Sequence, residues 1–215
     1  MKQQIKIKIN YSLGLETERI LSTLKKIEWY REKGYFASLP YKIQEIIKNE
    51  GNEISPKVVI DALKQEFNQK VYDELSSLVY AEWGNVSGVL SENLEKNQLT
   101  LIPDLYNIIF TKYGVGGSYN LPDQIIINVN NKQADEICRT IVHEIFHINI
   151  EPLIEKYDIG HWEKERIVDL IFIKIMPEVG FIQKIPQEIN IGEVDQAFNS
   201  YFPNLGKIIK TVAQS

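Results

Sequence analysis

Two histidines and a glutamate form the most informative pattern in this sequence: His143, Glu144 and His147. On an α-helix, residues four apart lie about one turn apart, so both imidazoles could face a single metal ion. Glu144 is offset from that line, where its carboxylate could reach a water bound to the ion. Only three histidines occur among the 215 residues, so chance is a poor explanation for this spacing. The chemistry indicated is hydrolysis by a zinc-activated water.

The residues around this pattern predict the helix that it requires. Asp135 and Glu136 suit the positive N-terminal end of such a helix, and Pro152 predicts that it ends just before that residue. Apolar residues recur on the side opposite to the histidines, at Ile137, Cys138, Ile141, Ile145 and Ile148. One face of the helix would therefore pack into the core while the other presents the metal ligands.

A catalytic zinc site needs a third protein ligand, and a second predicted helix supplies the candidates. This helix begins near Gly160 and ends before Pro177. It carries His161, Glu165 and Asp169 on one stripe, four residues apart. Glu165 is the favoured third ligand, with His161 as the alternative. Asp169, one turn further on, could accept the N–H of a ligating histidine and so orient its ring.

These residues resemble the signature of the zincin metallopeptidases. The closest pattern is that of the gluzincins, which include thermolysin-like enzymes and very small gluzincin domains, in which HExxH is followed by ExxxD on a later helix. Here the motifs read His143-Glu144-Ile145-Phe146-His147 and Glu165-Arg166-Ile167-Val168-Asp169, within residues 119–173. The resemblance implies a Zn²⁺ cofactor, Glu144 as general base and Asp169 as a partner of the ligands. The ligands that it implies are His143, His147 and Glu165.

The resemblance also implies how a peptide would bind. In zincins a strand upstream of the metal helix lies along the cleft and pairs with the substrate, as an exposed sheet edge can do. The candidate is the β-branched strand 124–129, which follows turn-rich residues 116–123; an interior place in the sheet is the equal alternative. The reaction also needs a donor to the oxyanion, and the candidates are Tyr157, His161 and Tyr201.

Helices and strands mix along the chain, which favours an α+β fold. Residues 1–10 alternate as a half-exposed strand does, residues 17–98 are mostly helical, and strand character returns at 99–101 and 106–111. We expect a mainly helical N-terminal region, residues 1–100, packed on a zincin-like catalytic domain, residues 101–215. That domain would combine a mixed sheet with the metal helix and the glutamate helix. The N-terminal region carries no motif, so a structural layer is its plainest interpretation, and a lid or a latency segment are the alternatives.

Composition limits the partners and the compartment. The formal net charge of −5 gives no basic surface for a nucleic acid. No stretch approaches the ~20 apolar residues of a membrane span, and no signal peptide is visible, so we expect a cytoplasmic protein without a membrane partner. The single cysteine, Cys138, excludes an internal disulfide, suits a reducing compartment and is expected to be buried.

The favoured function is that of a zinc-dependent peptidase acting on a peptide or protein substrate. A non-catalytic peptide-binding or structural zinc protein that kept the shape of the site is the main alternative, and hydrolysis of a non-peptide amide is a third. The presence of Glu144 argues against the second class, because a purely structural site has no need of a base there.

Overall fold

A computed structural model of the protein describes residues 4–183, 186 and 191–214. This part of the chain is α+β, as predicted, with a helical majority and one small mixed sheet. Within it, no helix combines the length and the apolar character that crossing a bilayer requires. In chain order the elements are β1 (Lys6–Asn10), α1 (Leu13–Lys25), α2 (Ile27–Glu32), α3 (Tyr41–Glu50), α4 (Pro56–Leu63), α5 (Gln69–Lys96), β2 (Leu105–Thr111), β3 (Gly117–Asn120), β4 (Gln124–Asn128), α6 (Ala134–Tyr157), α7 (His161–Ile175), α8 (Gly192–Tyr201) and α9 (Leu205–Val212).

The four strands of the sheet lie in the order β1-β2-β4-β3. Strands β1, β2 and β4 are parallel, and β3 pairs antiparallel with β4. The prediction that residues 124–129 form an exposed edge is therefore wrong, and the interior alternative is correct. The edge strand is β3, which is formed by residues whose sequence indicates a turn. Strand β3 pairs along the outer edge of β4. The side chains of Ile125 and Ile127 in β4 are fully buried, as is usual for an interior strand.

The buried apolar side chains form two clusters. The larger one joins the sheet to helices α5 to α9, and the smaller one holds α1, α3 and α4 together around Ile20, Ile43 and Leu63. Strand β1 belongs to the first hundred residues yet completes the sheet beside β2. The division of the chain at residue 100 stays a prediction, and β1 and α5 tie the two parts into one core.

The metal helix α6 is longer than predicted. It runs through Pro152 to Tyr157, so the expectation that it ends before the proline is wrong. A proline inside a helix removes one backbone hydrogen bond. The helix continues because Ile150 and Ile154, on either side of the proline, are buried in the main core. It ends where Asp158 adopts a left-handed conformation, with φ of 51°.

Cys138 lies on the buried side of α6, as predicted. Its thiol lies 3.8 Å from the carbonyl oxygen of Val79 on α5. Burial raises the pKa of the thiol to about 12. Since thiolates rather than thiols react, Cys138 is a core residue and takes no part in the chemistry of the histidine face.

Candidate metal centre

Helices α6 and α7 bring the three predicted ligands together. The two ring atoms His143 Nε2 and His147 Nε2 lie 3.1 Å apart. Glu165 Oε2 lies 3.2 Å from His147 Nε2 and 3.7 Å from His143 Nε2. His143 and Glu165 are only 4% and 6% exposed, so the group is enclosed by protein.

These distances are compatible with a bound metal ion. Zinc with bonds of about 2.0–2.1 Å in tetrahedral geometry separates its ligand atoms by about 3.3–3.4 Å. The three measured separations bracket that value. A neutral imidazole nitrogen and a carboxylate oxygen each carry a lone pair, and a cation between these three side chains would accept one from each. The buried group of His143, His147 and Glu165 could therefore hold a metal ion.

Charge in the site is balanced between the carboxylates and the imidazoles. Burial disfavours the charged form of His143, but the carboxylates of Glu165 and Glu144 outweigh it and raise the pKa of His143. Burial also disfavours the Glu165 carboxylate, yet His147 and His143 hold its pKa well below the usual range. Glu165 is thus charged at any physiological pH, as a ligand of a cation must be.

Asp169 lies behind the site but makes no hydrogen bond with a histidine. Its Oδ1 is 3.9 Å from His143 Nδ1, and neither atom has a hydrogen-bond partner. Its other oxygen accepts from the backbone N–H of Gln183 at 2.8 Å. Burial raises the pKa of Asp169 to about 6. The predicted partner of the ligands is therefore next to His143, about 1 Å beyond bonding distance.

Glu144 lies on the cleft side of the two histidines, under the edge strand. A Cβ atom on Gly117 of β3 would come within 2.3 Å of Glu144 Oε1 and 2.9 Å of Thr140 Cγ2. The glycine thus permits the close approach of β3 to α6. Burial raises the pKa of Glu144 above its usual range, which suits a group that accepts a proton near neutral pH.

A fixed aromatic ring supports His147. Tyr119 of β3 stacks on the imidazole, with ring centres 5.1 Å apart and planes within 14°. Its hydroxyl donates to Glu151 Oε2 at 2.6 Å and accepts from Lys164 Nζ at 3.0 Å. Contacts from both α6 and α7 therefore hold the ring that orients the second histidine.

His161 lies at the site without joining the three ligands. Its Nδ1 is 3.8 Å from Glu165 Oε1, and its Nε2 is 2.8 Å from the hydroxyl of Tyr35. Burial lowers the pKa of His161 and raises that of Tyr35 above its ordinary value of 10. Both groups are therefore uncharged at neutral pH. Tyr157 and Tyr201, the tyrosines named from the sequence, pack against the main core instead.

A cleft of about 810 Å³ opens over this group. Its floor holds the α6 motif and Glu165, and one wall is the edge strand β3. The opposite wall comes from the N-terminal helical region, with Trp29, Tyr30 and Tyr35. Sequence reasoning missed this wall because no motif marks it; the only local signal is the cluster of aromatic residues at 29–36.

Arg19 of α1 anchors the loop that leads into β3. Its guanidinium donates to the carbonyl oxygens of Tyr113 and Val115, at 3.4 and 3.3 Å, and to Ser118 Oγ at 3.0 Å. Gly114 has φ of 83°, and a Cβ there would lie 2.3 Å from Arg19 Nε. The N-terminal region therefore also holds the edge strand in place.

The outer edge of β3 presents backbone groups to the cleft. The carbonyl of Gly116 accepts from the N–H of Asn128, so Gly116 and Ser118 face β4. Since backbone groups alternate along an antiparallel strand, those of Gly117 and Tyr119 face the cleft. This is the arrangement that an extended peptide needs in order to add as a further strand.

Comparison with known proteins adds no assignment. No protein family, curated protein or solved structure matches this chain. The case for a function therefore depends on the residues of the site and on their geometry.

Proposed function

We propose that the protein is a zinc-dependent peptidase with a zincin-like core of the gluzincin type. The observation that carries the proposal is the convergence of His143 Nε2, His147 Nε2 and Glu165 Oε2 on one point, beside a buried glutamate. Two imidazoles and one carboxylate form a ligand set of catalytic zinc sites, which keep a further position for water. Of the two candidate third ligands, the geometry favours Glu165.

In this proposal the side chains of the site have separate roles in the reaction. When bound, a zinc ion lowers the pKa of its water and polarises the scissile carbonyl. Glu144 accepts the proton of the attacking water and then passes it to the leaving amine. Tyr35 and His161 lie beside Glu165 and hydrogen-bond to each other at 2.8 Å. If His161 Nε2–H donates to the Tyr35 oxygen, the Tyr35 O–H is left to donate to the oxyanion. Both groups are uncharged, so they do not compete with the cation for the carboxylate.

The edge strand supports a peptide as the substrate. The backbone groups of Gly117 and Tyr119 could pair with an extended chain without regard to its side chains. Such pairing would place a scissile bond above Glu144, because β3 crosses α6 at that residue. A small amide would gain nothing from this edge, so the strand favours peptides over other amides.

The proposal is tested by the substitution Glu144→Gln, which removes the base and leaves the ligands in place. We expect wild-type protein loaded with zinc to cleave members of a peptide library, and Glu144→Gln to lose about 10²–10⁴ of that rate. Glu155→Gln, an exposed position on the same helix, is the matched control and should keep full activity. Zinc content is measured for all three proteins and should be equal.

Two results would contradict the proposal in different ways. Equal cleavage by the wild type and by Glu144→Gln would show that the activity comes from elsewhere. Bound zinc with no cleavage of any library member would favour a non-catalytic zinc protein.

A further inference from the structure

The chain returns to the metal centre after α7, through residues 181–183, here called the strap. The side-chain Nε2 of Gln183 lies 2.6 Å from Glu165 Oε2 and 3.1 Å from His143 Nε2. Its backbone N–H donates to Asp169 at 2.8 Å. The Gln183 amide thus contacts two of the three candidate ligands, and the backbone of the same residue contacts the carboxylate behind them.

Aromatic packing holds the strap in this position. The ring of Phe181 stacks on His143, with centres 5.3 Å apart and planes within 21°. Its edge also meets Phe172 of α7, at 5.4 Å between centres. Ile182, between the two anchored residues, is 57% exposed and points away. Phe181 is itself 37% exposed, so the strap lies at the protein surface and covers His143 from outside.

We propose that Gln183 is the fourth protein residue of the metal site and that its side-chain amide closes the face on which water and substrate would bind. This inference rests on the proposed zinc site. The amide nitrogen lies 3.1 Å from His143 Nε2, near the separation of two ligands of one ion, and it donates a hydrogen bond to Glu165 Oε2 at 2.6 Å. The nitrogen and oxygen of a glutamine side chain exchange places by a half-turn of the terminal bond. If a cation were bound by His143 and Glu165, the amide oxygen of Gln183 would face it in place of the nitrogen.

The consequence is a resting state that is closed to substrate. A peptide that pairs with β3 reaches Glu144 only after Gln183 leaves the three ligands. The ring of Phe181 packs on His143 of α6 and on Phe172 of α7, whereas the amide of Gln183 can be withdrawn by rotation of its side chain with these ring contacts in place. Removal of the amide should therefore open the site while the ligands stay in place.

Cobalt(II) and acetohydroxamate are suitable probes, because they report on the site without any turnover. Wild-type protein, Gln183→Ala and Gln183→Leu are loaded with Co²⁺, and acetohydroxamate is titrated while the visible absorption is recorded. Leucine keeps nearly the volume of glutamine but has no donor or acceptor. Ile182→Ala is the matched control on the exposed residue of the strap, and circular dichroism checks the folding of each variant.

We expect both Gln183 variants to show a shifted cobalt spectrum and to bind acetohydroxamate at least tenfold more tightly than the wild type. Ile182→Ala should behave as the wild type does. Cobalt bound by every protein, with identical spectra and equal affinities for acetohydroxamate, would overturn the role of Gln183 and leave the metal site standing. Failure of the folded wild type to bind cobalt would overturn the metal site itself and the role of Gln183 with it.

Discussion

A proton and a bound metal ion would compete for His143. The carboxylates of Glu165 and Glu144 raise the pKa of this histidine in spite of its burial. The same carboxylates would attract a divalent cation, which binds only the neutral imidazole. Glu165 does not take part in the competition near neutral pH, because His147 and His143 hold its pKa far below that range.

This competition predicts that metal affinity rises with pH. Below the raised pKa of His143, binding must displace a proton, so each unit of acidification should weaken zinc binding by up to about tenfold per proton displaced. Above that pKa the imidazole is neutral and the affinity should level off. A zinc competition titration from pH 5.5 to 8 measures the slope. Asp169→Asn separates the contribution of Asp169, whose pKa burial raises to about 6 and whose carboxylate helps to raise the pKa of His143. The variant should keep the slope, with the affinity levelling off at a lower pH. An affinity without pH dependence would contradict a histidine-based site.

The candidate ligands could be predicted from the sequence because they lie close together along the chain. The spacing of His143 and His147 on a helix places both rings on one side, whatever the rest of the fold does. Glu165 could be predicted as a ligand because a second predicted helix carries candidate ligands on one face. Tyr35 and Gln183 could not be found this way, since each reaches the site from a separate part of the chain and no local spacing links either to α6.

The contact of β3 with α6 depends on a residue without a side chain. A methyl group on Gly117 would meet the carboxylate of Glu144 and the methyl of Thr140. We expect the Glu144 side chain to be displaced, because moving a carboxylate costs less free energy than moving a strand. Overpacking of this kind costs about 1–3 kcal/mol of stability in addition.

Gly117→Ala should therefore reduce peptide cleavage at least tenfold while zinc content stays unchanged. Gly116→Ala is the matched control, since a Cβ there meets only Lys132 Nζ at 3.8 Å, and it should be neutral. Cleavage rates test the predicted loss of activity in both variants, and urea unfolding measures the change in stability. Full activity in Gly117→Ala would show that the position of Glu144 under β3 does not matter.

Elements were predictable where one periodic pattern covers the whole element. α7 begins at His161 and ends before Pro177, as its stripe indicates. α6 extends beyond Pro152 because buried isoleucines on both sides outweigh one lost hydrogen bond, which a local rule does not include. β3 was missed because residues 117–120 carry turn signals, and its pairing with β4 is decided by the sheet.

At the scale of the whole molecule, the two parts of the chain build the cleft together. Strand β1 completes the sheet, Arg19 anchors the loop before β3, and Tyr35 meets His161 over Glu165. An α+β fold followed from the order of helical and strand patterns. The shared cleft did not, because contacts between residues about a hundred positions apart leave no periodic trace in the sequence.

Tyr35→Phe tests whether the N-terminal region takes part in the chemistry. Loss of one donor to an oxyanion typically costs about 10²–10³ in kcat. With His161 still present, we expect a loss of at least tenfold in kcat and little change in KM. Tyr41→Phe, at a position 72% exposed in the same region, should have no effect. Steady-state kinetics on one cleaved peptide suffice, and unchanged kcat in Tyr35→Phe would restrict the N-terminal region to a structural role.

The account as a whole depends on a metal ion bound by two histidines and Glu165. The most direct test is elemental analysis of wild-type protein and Glu165→Ala, purified without metal-affinity steps and reconstituted with zinc. Glu163→Ala, on the same helix but outside the cleft, and His161→Ala are the controls. The account predicts one zinc per chain in the wild type and in both controls, and its loss in Glu165→Ala. Zinc retained by Glu165→Ala and lost in His161→Ala, or no zinc in folded wild type, would contradict it.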